Sequence, residues 1–337
     1  MSAYALARDL VAVASYHSGW SAPARRLRGK LSIATFHRVL LAEERSQYPM
    51  PGLAVTPDEL RAVLGAARER FTCTTLADAA ERFAAGDEPE RPLLAVTFDD
   101  GQLDNATRAL PVLTELGVRA SFFIVSSAAQ TGVSLWHDRI GFALPRALAR
   151  DGAAARSLLA ELDLGASDSS ADVSAVVERA KRAITSADVR EKWVARLETV
   201  AGGPWRPIWD GMLDWSQVRA LRAAGHEVGS HSHSHPLLPQ CSDSELEREL
   251  AHSKEVIERE LRAPIRSFCY PNGDWDARVR EAARRAGYAW AVTTEHGSNP
   301  RGADAWTLRR CDLSFTHCAD RAGRMSPARL VWRLGRA

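Results

Sequence analysis

Two adjacent carboxylates follow an apolar run of the chain, in the segment TFDDG at residues 97–101. Neighbouring side chains of a regular strand point to opposite faces, but both can turn towards one pocket where a strand breaks into a glycine. Two acids this close raise each other's proton affinity unless a cation is present. A metal would resolve the conflict, because one carboxylate can bind it while the other stays free as a base. An acidic turn at the start of a helix is the alternative interpretation.

Three histidines alternate with serines in the segment GSHSHSH at residues 229–235. If a strand continued here, all three imidazoles would share one face, as in a three-histidine site. If the chain turns helical, His231 and His235 stack at positions i and i+4, about 5–6 Å apart at Cβ, and His233 points away. Pro236 and the serines argue against a strand, so we favour the second geometry. Two imidazoles and one carboxylate would leave positions on zinc open for water and substrate.

Together, TFDDG and HSHSH resemble the polysaccharide deacetylase family, also called the NodB-homology or carbohydrate esterase 4 group. The resemblance covers residues 31–128 and 213–315. It implies a distorted (β/α) barrel in which Asp99 is the general base. It also implies that Asp100, His231 and His235 bind a divalent ion, usually zinc, although Co²⁺, Ni²⁺ or another ion can serve.

A third segment, FCYPNG at residues 268–273, looks like the family's Arg-x-Pro-Tyr segment but departs from it at two positions. Cys269 stands where the arginine would be, and Asn272 replaces the tyrosine. In relatives a backbone N–H at this place helps to hold the oxyanion, and Asn272 still has one. The arginine would orient the catalytic aspartate, and we choose Arg310 as its replacement. A structural salt bridge is an equally good interpretation of Arg310.

The family's C-terminal Leu-x-His segment, which usually supplies the acid, is not evident. However, the segment FHRV at residues 36–39 looks like the Tyr-His-Arg segment of extracellular poly-N-acetylglucosamine deacetylases. In those enzymes the early histidine lies in the active site and is the proposed acid. The resemblance therefore implies that His37 is the general acid. A hydrogen-bonded histidine at a strand end or helix start is the alternative.

Apolar runs suited to buried parallel strands alternate with amphipathic helical patterns, which predicts an α/β fold. Strands are predicted at Leu31–Phe36, Leu93–Phe98, Ala120–Val125, Glu227–Ser230, Ile265–Tyr270 and Tyr288–Thr294, with others at 72–75 and 306–313. Helices are predicted at 57–70, 104–116, 215–224, 243–262 and 276–286. Seven or eight such units can close a (β/α) barrel. The candidate site residues all fall at or just past the carboxyl ends of strands, which form one mouth in a barrel.

The alternation of predicted strands and helices, and its interruptions, divide the chain into five segments. We predict an N-terminal helical segment (1–30), the first part of the deacetylase domain (31–130), a helical insertion (131–212), the second part of the domain (213–315) and a basic, solvated C-terminal tail (316–337). Within the first segment, residues 3–16 are suited to an amphipathic helix. That helix would pack on the domain or attach to a membrane surface.

Composition narrows the possible classes of protein. The formal charge is only +2 over 337 residues, which does not favour nucleic acid as a partner. The five cysteines contain no CxxC pair, so neither a disulfide framework nor a thiolate metal site is expected. We find no signal sequence and no apolar run of membrane-spanning length. The expected location is the cytoplasm, with peripheral contact at the inner membrane face as a further possibility.

The predicted reaction is hydrolysis of an N-acetylated amino sugar to a free amine and acetate. The substrate would be a polysaccharide, a glycolipid or a lipid-linked biosynthetic intermediate. One alternative is a deacylase that acts on another C–N bond, in an N-formyl sugar or a cyclic ureide. The others are a non-catalytic carbohydrate-binding relative and a coordinatively closed, structural metal site.

Overall fold

The computed structural model describes Ala14 and residues 26–164, 173–184 and 187–335. Its strands are β1 (Lys30–Phe36), β2 (Arg38–Val39), β3 (Ala54–Val55), β4 (Thr72–Thr74), β5 (Leu93–Phe98), β6 (Ser121–Ile124), β7 (Glu227–Ser230), β8 (Ser267–Cys269), β9 (Trp290–His296), β10 (Asn299–Pro300) and β11 (Leu308–Asp312). Those that were predicted lie within about two residues of their expected bounds. The sequence patterns therefore located the strands correctly.

Seven parallel strands close into a barrel, in the order β1-β5-β6-β7-β8-β9-β11 and back to β1. The short β4 pairs with the first half of β5, β6 pairs with the second half, and β10 runs antiparallel beside the start of β1. All six residues of β5 are buried, as expected for a parallel strand covered on both faces. The predicted distorted (β/α) barrel is confirmed.

The helices surround this barrel. They are α1 (Ala42–Gln47), α2 (Pro57–Arg68), α3 (Leu76–Ala84), α4 (Leu110–Leu116), α5 (Ser126–Thr131), α6 (Trp136–Arg150), α7 (Gly152–Ala160), α8 (Val173–Ala183), α9 (Ala187–Val200), α10 (Trp215–Ala223), α11 (Asp243–Glu247), α12 (Ser253–Leu261), α13 (Ala277–Arg285), α14 (Phe315–Cys318) and α15 (Pro327–Leu334). Two π-helical turns, Asn105–Ala109 and Arg248–His252, lead into α4 and α12. Three short 3-10 turns are Pro51–Leu53, Leu238–Gln240 and Pro271–Gly273. The patterns did not predict α3.

Helices α6 to α9 form the described part of the helical insertion and pack around a hydrophobic cluster of their own. Trp136, Ile140, Val177 and Trp193 are among its buried members. The cluster also takes in Leu40, Tyr48 and Met50 from the segment between β2 and β3, and Ala54 from β3. The insertion is therefore seated on the barrel next to the segment that follows β1. The exact domain boundaries at 130 and 213 stay a prediction.

The C-terminal segment differs from its prediction. We expected residues 316–337 to form a solvated tail, but α15 buries Leu330, Val331 and Leu334 in the main core together with Leu27. These apolar residues recur with helical spacing between the arginines, so one face of the helix packs while the charges face outward. The prediction of a solvated tail was wrong because it rested on the arginines of this segment and did not take account of the apolar face between them.

The predicted N-terminal helical segment lies mostly outside the described residues, and so does the proposed amphipathic helix at 3–16 apart from Ala14. Among the helices that are described, none is both long and apolar enough to cross a lipid bilayer.

Candidate active site

Asp100, His231 and His235 converge at the mouth of the barrel, as the sequence predicted. Their potential ligand atoms all lie within 4.8 Å of one another. His231 Nε2 is 3.4 Å and His235 Nε2 is 3.5 Å from Asp100 Oδ1. All three side chains are buried. One carboxylate oxygen and two imidazole nitrogens at this spacing fit a divalent ion such as zinc.

The backbone after β5 explains how two adjacent aspartates share one pocket. Asp100 has a φ of 74° and Gly101 a φ of 70°. Left-handed backbone is uncommon for a residue with a side chain and is often found at functional sites. A Cβ on Gly101 would lie 3.1 Å from the Ile124 side chain, so both the left-handed backbone and the close contact favour glycine here. This turn brings Asp100 round beside Asp99 instead of onto the opposite face.

The histidine segment differs in backbone from the prediction. We expected a helical turn after Gly229, but residues 231–237 are not helical, and Ser232 and His235 have φ values of 67° and 57°. The two imidazole rings nevertheless approach to 4.8 Å between centroids. The predicted convergence is therefore correct, while the helical turn that was meant to produce it is wrong.

A buried carboxylate holds this irregular loop in place. Glu249 Oε2 accepts hydrogen bonds from the backbone N–H groups of His233 and Ser234, each at 2.8 Å, and Glu249 Oε1 accepts one from Ser234 Oγ at 2.7 Å. Ser232 Oγ accepts from the backbone N–H of His235 at 3.0 Å. Sequence reasoning missed Glu249. Its only signal was an acidic side chain in a helix that otherwise looked amphipathic.

Hydrogen bonds orient the ring of His231 and hold His233 away from Asp100. His231 Nδ1 lies 2.8 Å from the Cys269 carbonyl oxygen. A proton on Nδ1 would leave the Nε2 lone pair facing Asp100, which is the usual arrangement of a metal-binding histidine. His233 lies outside the set, with its Nδ1 2.9 Å from Ser126 Oγ. This agrees with the expectation that only the outer histidines face Asp100.

Asp99 is held by Arg310 in a two-point ion pair. Arg310 Nη1 and Nη2 donate to Asp99 Oδ1 and Oδ2, each at 2.7 Å. Their exposures are only 1% for Arg310 and 2% for Asp99, so solvent does not screen the pair. Burial by itself raises the pKa of Asp99, but the charge and hydrogen bonds of Arg310 more than offset this and lower it to about 2. Asp99 therefore stays ionised at neutral pH.

Arg310 reaches Asp99 from β11, which the motif alone did not indicate. Its Nε donates to the Thr293 carbonyl oxygen at 2.7 Å, and its Nη2 lies 3.2 Å from Cys269 Sγ. Cys269 occupies the position where the family has its arginine. A guanidinium therefore lies beside that position even though it comes from another strand. The salt bridge of Arg310 and the contact that orients Asp99 are therefore one and the same interaction.

His37 and Asn272 lie at the same mouth with looser contacts. His37 Nε2 is 3.7 Å from Asp99 Oδ2, which is too long for a hydrogen bond, and its side chain is 22% exposed. Asn272 follows β8 with a φ of 57°, and its amide donates to Asp274 Oδ2 at 2.9 Å. The structure places both residues at strand ends, but their predicted chemical roles stay predictions.

The insertion adds side chains that the sequence did not place beside the metal-binding residues. Trp136 Nε1 donates to the carbonyl oxygen of His235 at 3.0 Å, and the His137 ring lies 5.0 Å from the His235 ring. Lys181 Nζ approaches Asn272 Oδ1 to 3.5 Å. No family motif covers these positions. The only signal was the run Trp136-His137-Asp138 at the start of a helical pattern.

Buried charges join the insertion to the loop that follows Asp100. Arg38 donates to Asp104 Oδ2 at 2.7 Å and to Asp210 Oδ1 at 2.8 Å. Asp138 accepts from Tyr48 at 2.9 Å and from Gln102 at 3.0 Å. Asp104 is therefore an ion-pair partner of Arg38. The alternative interpretation of this segment, an acidic turn at the start of a helix, does not explain the positions of Asp99 and Asp100.

A cavity of about 240 Å³ opens beside the ion pair. Phe36, His37, Thr294, His296, Arg310 and Arg333 are among the residues that line it. The cavity borders His37 and Arg310, which both approach Asp99, but Asp99 itself does not line it.

Comparison with known proteins agrees with this geometry. The sequence model of the polysaccharide deacetylase family matches residues 86–291, more than half of the chain. A chitooligosaccharide deacetylase of Sinorhizobium fredii is 33% identical over 92 residues, which is 26% of this chain and 42% of that protein. The chain spans about two fifths of the length of the curated relatives it matches.

Solved structures share the fold at low sequence identity. The Streptococcus pyogenes deacetylase PplD, determined in complex with acetate, has a TM-score of 0.60 at 17% identity, over 91% of this chain and 99% of that one. IcaB from Ammonifex degensii has a TM-score of 0.54 at 18% identity, over 85% of this chain and 92% of that one. At such identities the likeness establishes the fold alone. Taken with the family match, it shows that this chain belongs to the polysaccharide deacetylase family.

Proposed function

We propose that this protein is a metal-dependent N-deacetylase that removes the acetyl group from an N-acetylated amino sugar, giving a free amine and acetate. One observation carries the proposal. A buried set of one carboxylate and two imidazoles lies beside a second carboxylate that is held by an arginine and is not part of the set. A closed structural metal site has no use for such an unligated acid, whereas hydrolysis needs a base beside the ion.

Asp100, His231 and His235 would hold the ion. The chemistry supplied by a divalent ion at these residues would be polarisation of an amide carbonyl and a lowered pKa, about 7, for water. The donor set favours zinc, and Co²⁺ or Ni²⁺ fit the same mixture of nitrogen and oxygen ligands.

Asp99 would take the proton from the attacking water. Arg310 lowers the pKa of Asp99, so the carboxylate is ionised at neutral pH, which is the form that can accept a proton. Arg310 holds both carboxylate oxygens and so fixes the direction in which Asp99 faces. Such positioning contributes to the rate because the reacting groups are already held in the orientation that the reaction needs.

His37 and Asn272 would complete the reaction. An amine is a poor leaving group until it is protonated, and general acid catalysis by a histidine suits that step. His37 lies close to Asp99 and is partly exposed at the mouth, so it can reach both a ligand and bulk water. The backbone N–H of Asn272 would help to stabilise the negative oxygen of the tetrahedral intermediate.

The substrate class is inferred from chemistry and from relatives. The cavity beside His37 is large enough for a small group such as a sugar substituent, and one matched relative is a chitooligosaccharide deacetylase. PplD was determined with acetate, which is a product of the proposed reaction. We place the reaction in the cytoplasm, on a lipid-linked or other biosynthetic intermediate at the inner membrane face. This placement rests on the sequence alone.

Release of acetate tests the proposal directly. Metal-loaded protein should release acetate from polymeric, lipid-linked or nucleotide-linked N-acetylglucosamine, a chelator should stop the release, and zinc should restore it. A matched panel of N-formyl sugars and cyclic ureides identifies another C–N bond as the target. If the metal-loaded protein binds these sugars without releasing acetate from any of them, the chain is a carbohydrate-binding relative and the proposal is wrong.

A further inference from the structure

The histidine loop, residues 231–237, contains a backbone conformation that its own sequence does not favour. His235 has a φ of 57°, which is uncommon for a residue with a side chain. It also precedes Pro236, and a proline favours extended backbone at the residue before it. Such conformations persist where surrounding contacts hold them. The contacts made by the backbone of His235 therefore help to fix the direction of its imidazole.

One of these contacts comes from the insertion. Trp136 begins α6, and its indole Nε1 donates to the carbonyl oxygen of His235 at 3.0 Å. Trp136 is 4% exposed and His235 is 5% exposed, so this hydrogen bond is shielded from water. Without the indole, a buried carbonyl would lose this partner, which costs free energy of folding.

Arg190 supports the indole from α9. Its guanidinium carbon is 4.9 Å from the centre of the Trp136 ring, within the range of a cation–π contact. Its Nη2 also lies 3.5 Å from the carbonyl oxygen and from the Oγ of Ser234, the residue before His235. Arg190 is 2% exposed. Two helices of the insertion therefore meet the histidine loop at neighbouring residues.

The barrel and its surrounding helices hold the earlier part of the same loop. Backbone N–H groups of α5 donate to the carbonyl oxygens of Ser232 and His233, and Glu249 accepts from the N–H groups of His233 and Ser234. The N–H of His235 donates to Ser232 Oγ within the loop. The carbonyl of His235 is the point at which the insertion takes over.

We propose that Trp136 is a positioning residue for the metal site: its hydrogen bond to the His235 carbonyl, supported by Arg190, holds the loop so that the imidazole of His235 faces Asp100. The insertion would thereby raise the affinity of the site for its ion. The effect on the ion rests on the proposed function, whereas the effect on the loop does not depend on it.

Metal affinity tests the role of Trp136. Full-length Trp136→Phe keeps an aromatic ring but loses the N–H donor. Its Kd for Zn²⁺, measured by competition with a chromogenic chelator, should rise at least about tenfold, as expected when a group that orients a metal ligand is lost. The visible absorption spectrum of the Co²⁺-loaded protein should also change, because it reports the arrangement of the ligands around the ion.

Trp193→Phe is the matched control. Trp193 is 3% exposed in the same hydrophobic cluster, and its Nε1 donates to the carbonyl oxygen of Leu158 in α7 at 3.2 Å. The control loses the same kind of hydrogen bond from the same region, but its acceptor lies inside the insertion. It should bind Zn²⁺ and Co²⁺ as wild type does. Unchanged affinity in Trp136→Phe, or an equal loss in both variants, overturns the proposal.

Hydrogen exchange tests the loop without any metal. In metal-free protein, the backbone amides of residues 232–235 should exchange about two- to tenfold faster in Trp136→Phe than in wild type, since one buried hydrogen bond contributes at that level. They should be unchanged in Trp193→Phe. Wild-type exchange rates in Trp136→Phe would show that the indole does not hold the loop. If wild type binds neither ion, the proposed function fails, and the exchange rates still decide the role of Trp136 in the loop.

Circular dichroism checks the fold of each variant. If Trp136→Phe fails to fold, Arg190→Met decides the outcome, because methionine keeps an apolar stem against the indole and removes the guanidinium. The Kd for Zn²⁺ should then rise about two- to fivefold, the range of a single cation–π contact. Arg196→Met, at an exposed arginine of the same helix, is its control. Equal affinity in these two variants would contradict the proposal.

Discussion

The barrel and the insertion contribute to one site in different ways. Residues of the barrel lie at strand ends, where backbone contacts and a buried ion pair hold them: Asp99 by Arg310, and His231 by the Cys269 carbonyl. Residues of the insertion, such as His137 and Lys181, come from helices with their own hydrophobic cluster. The barrel therefore supplies the residues that we propose as catalytic and metal-binding, while the insertion supplies side chains that border them.

The two regions are joined by buried charges. Arg38 next to the barrel pairs with Asp104 after the catalytic loop and with Asp210 at the end of the insertion, and Asp138 lies in the same network through Tyr48. Burial, together with the charge of Asp210, raises the pKa of Asp138 to about 7. The stability of this junction should therefore depend on pH.

The largest effect is expected from removing one of the proposed metal ligands of the barrel. His235→Ala should lose the ion and reduce activity by more than about 100-fold, because loss of an outer-shell partner alone costs 10–100-fold. His233→Ala is the matched control, two residues away in the same loop, and should retain the ion. Metal content by atomic emission and acetate release measure the two effects. An ion lost from His233→Ala but kept in His235→Ala would contradict our assignment of the set.

Asp99→Asn should separate metal binding from chemistry within the barrel. Asp99 lies outside the proposed ligand set of Asp100, His231 and His235, so metal content should equal that of wild type. Turnover should fall about 10²–10⁴-fold because the amide cannot accept the proton from water. Normal turnover in a variant that still binds the ion would show that another group is the base.

Arg310→Met should unfold the protein more easily and move its pH profile. The variant leaves Asp99 buried and unpaired, which costs about 3–5 kcal/mol in the free energy of unfolding. In wild type the depressed pKa of Asp99 stabilises the fold above the unfolded value of about 3.9, and this is lost as pH falls towards 2. Without Arg310, burial raises that pKa, so the acid limb of the kcat/KM profile should move to higher pH.

Arg309→Met is the control for that variant. Arg309 is the neighbouring residue of β11 and its side chain is 49% exposed, so its loss should change the free energy of unfolding by less than about 1 kcal/mol. Equal destabilisation by both variants would mean that the strand, and not the ion pair with Asp99, determines the result.

The barrel half of the site could be predicted from sequence for a physical reason. Buried parallel strands have long apolar runs, so the ends of β5, β7 and β11 could be located, and those ends meet at one mouth. That placed Asp99, His231 and Arg310 together before any contact was known. Spacing could not foresee the backbone of the histidine loop, because its shape depends on Glu249, which lies sixteen residues beyond His233.

The insertion half could not be predicted in the same way. Whether His137 and Lys181 approach the barrel depends on how a separate hydrophobic cluster is seated, and helical periodicity says only which face is apolar. The prediction for the C-terminal helix α15 failed for a related reason. Its arginines indicated solvent, while Leu330, Val331 and Leu334 between them supplied a face for the core.

Asp138→Asn gives the smallest effect and tests the junction between the two regions. Because the pKa of Asp138 is raised in the folded state, its stabilising contribution is complete below about pH 3.9 and is lost as pH rises through about 7. Asparagine does not ionise, so the variant does not lose stability as pH rises through about 7. Gln102 can turn its amide so that Oε1, which has no partner among the described residues, accepts from the new side chain. The variant should then be more stable than wild type at pH 8.5, on the order of 1–3 kcal/mol.

The difference should shrink at pH 5.5, where the wild-type carboxyl is protonated in the fold. Urea unfolding at both pH values measures it. Because Asp138 accepts hydrogen bonds from Tyr48 and Gln102, an ionised Asp138 would instead make the variant less stable by the same amount at both pH values. In that case the junction would be an ordinary network of paired charges, and the insertion would be attached to the barrel as firmly at high pH as at low.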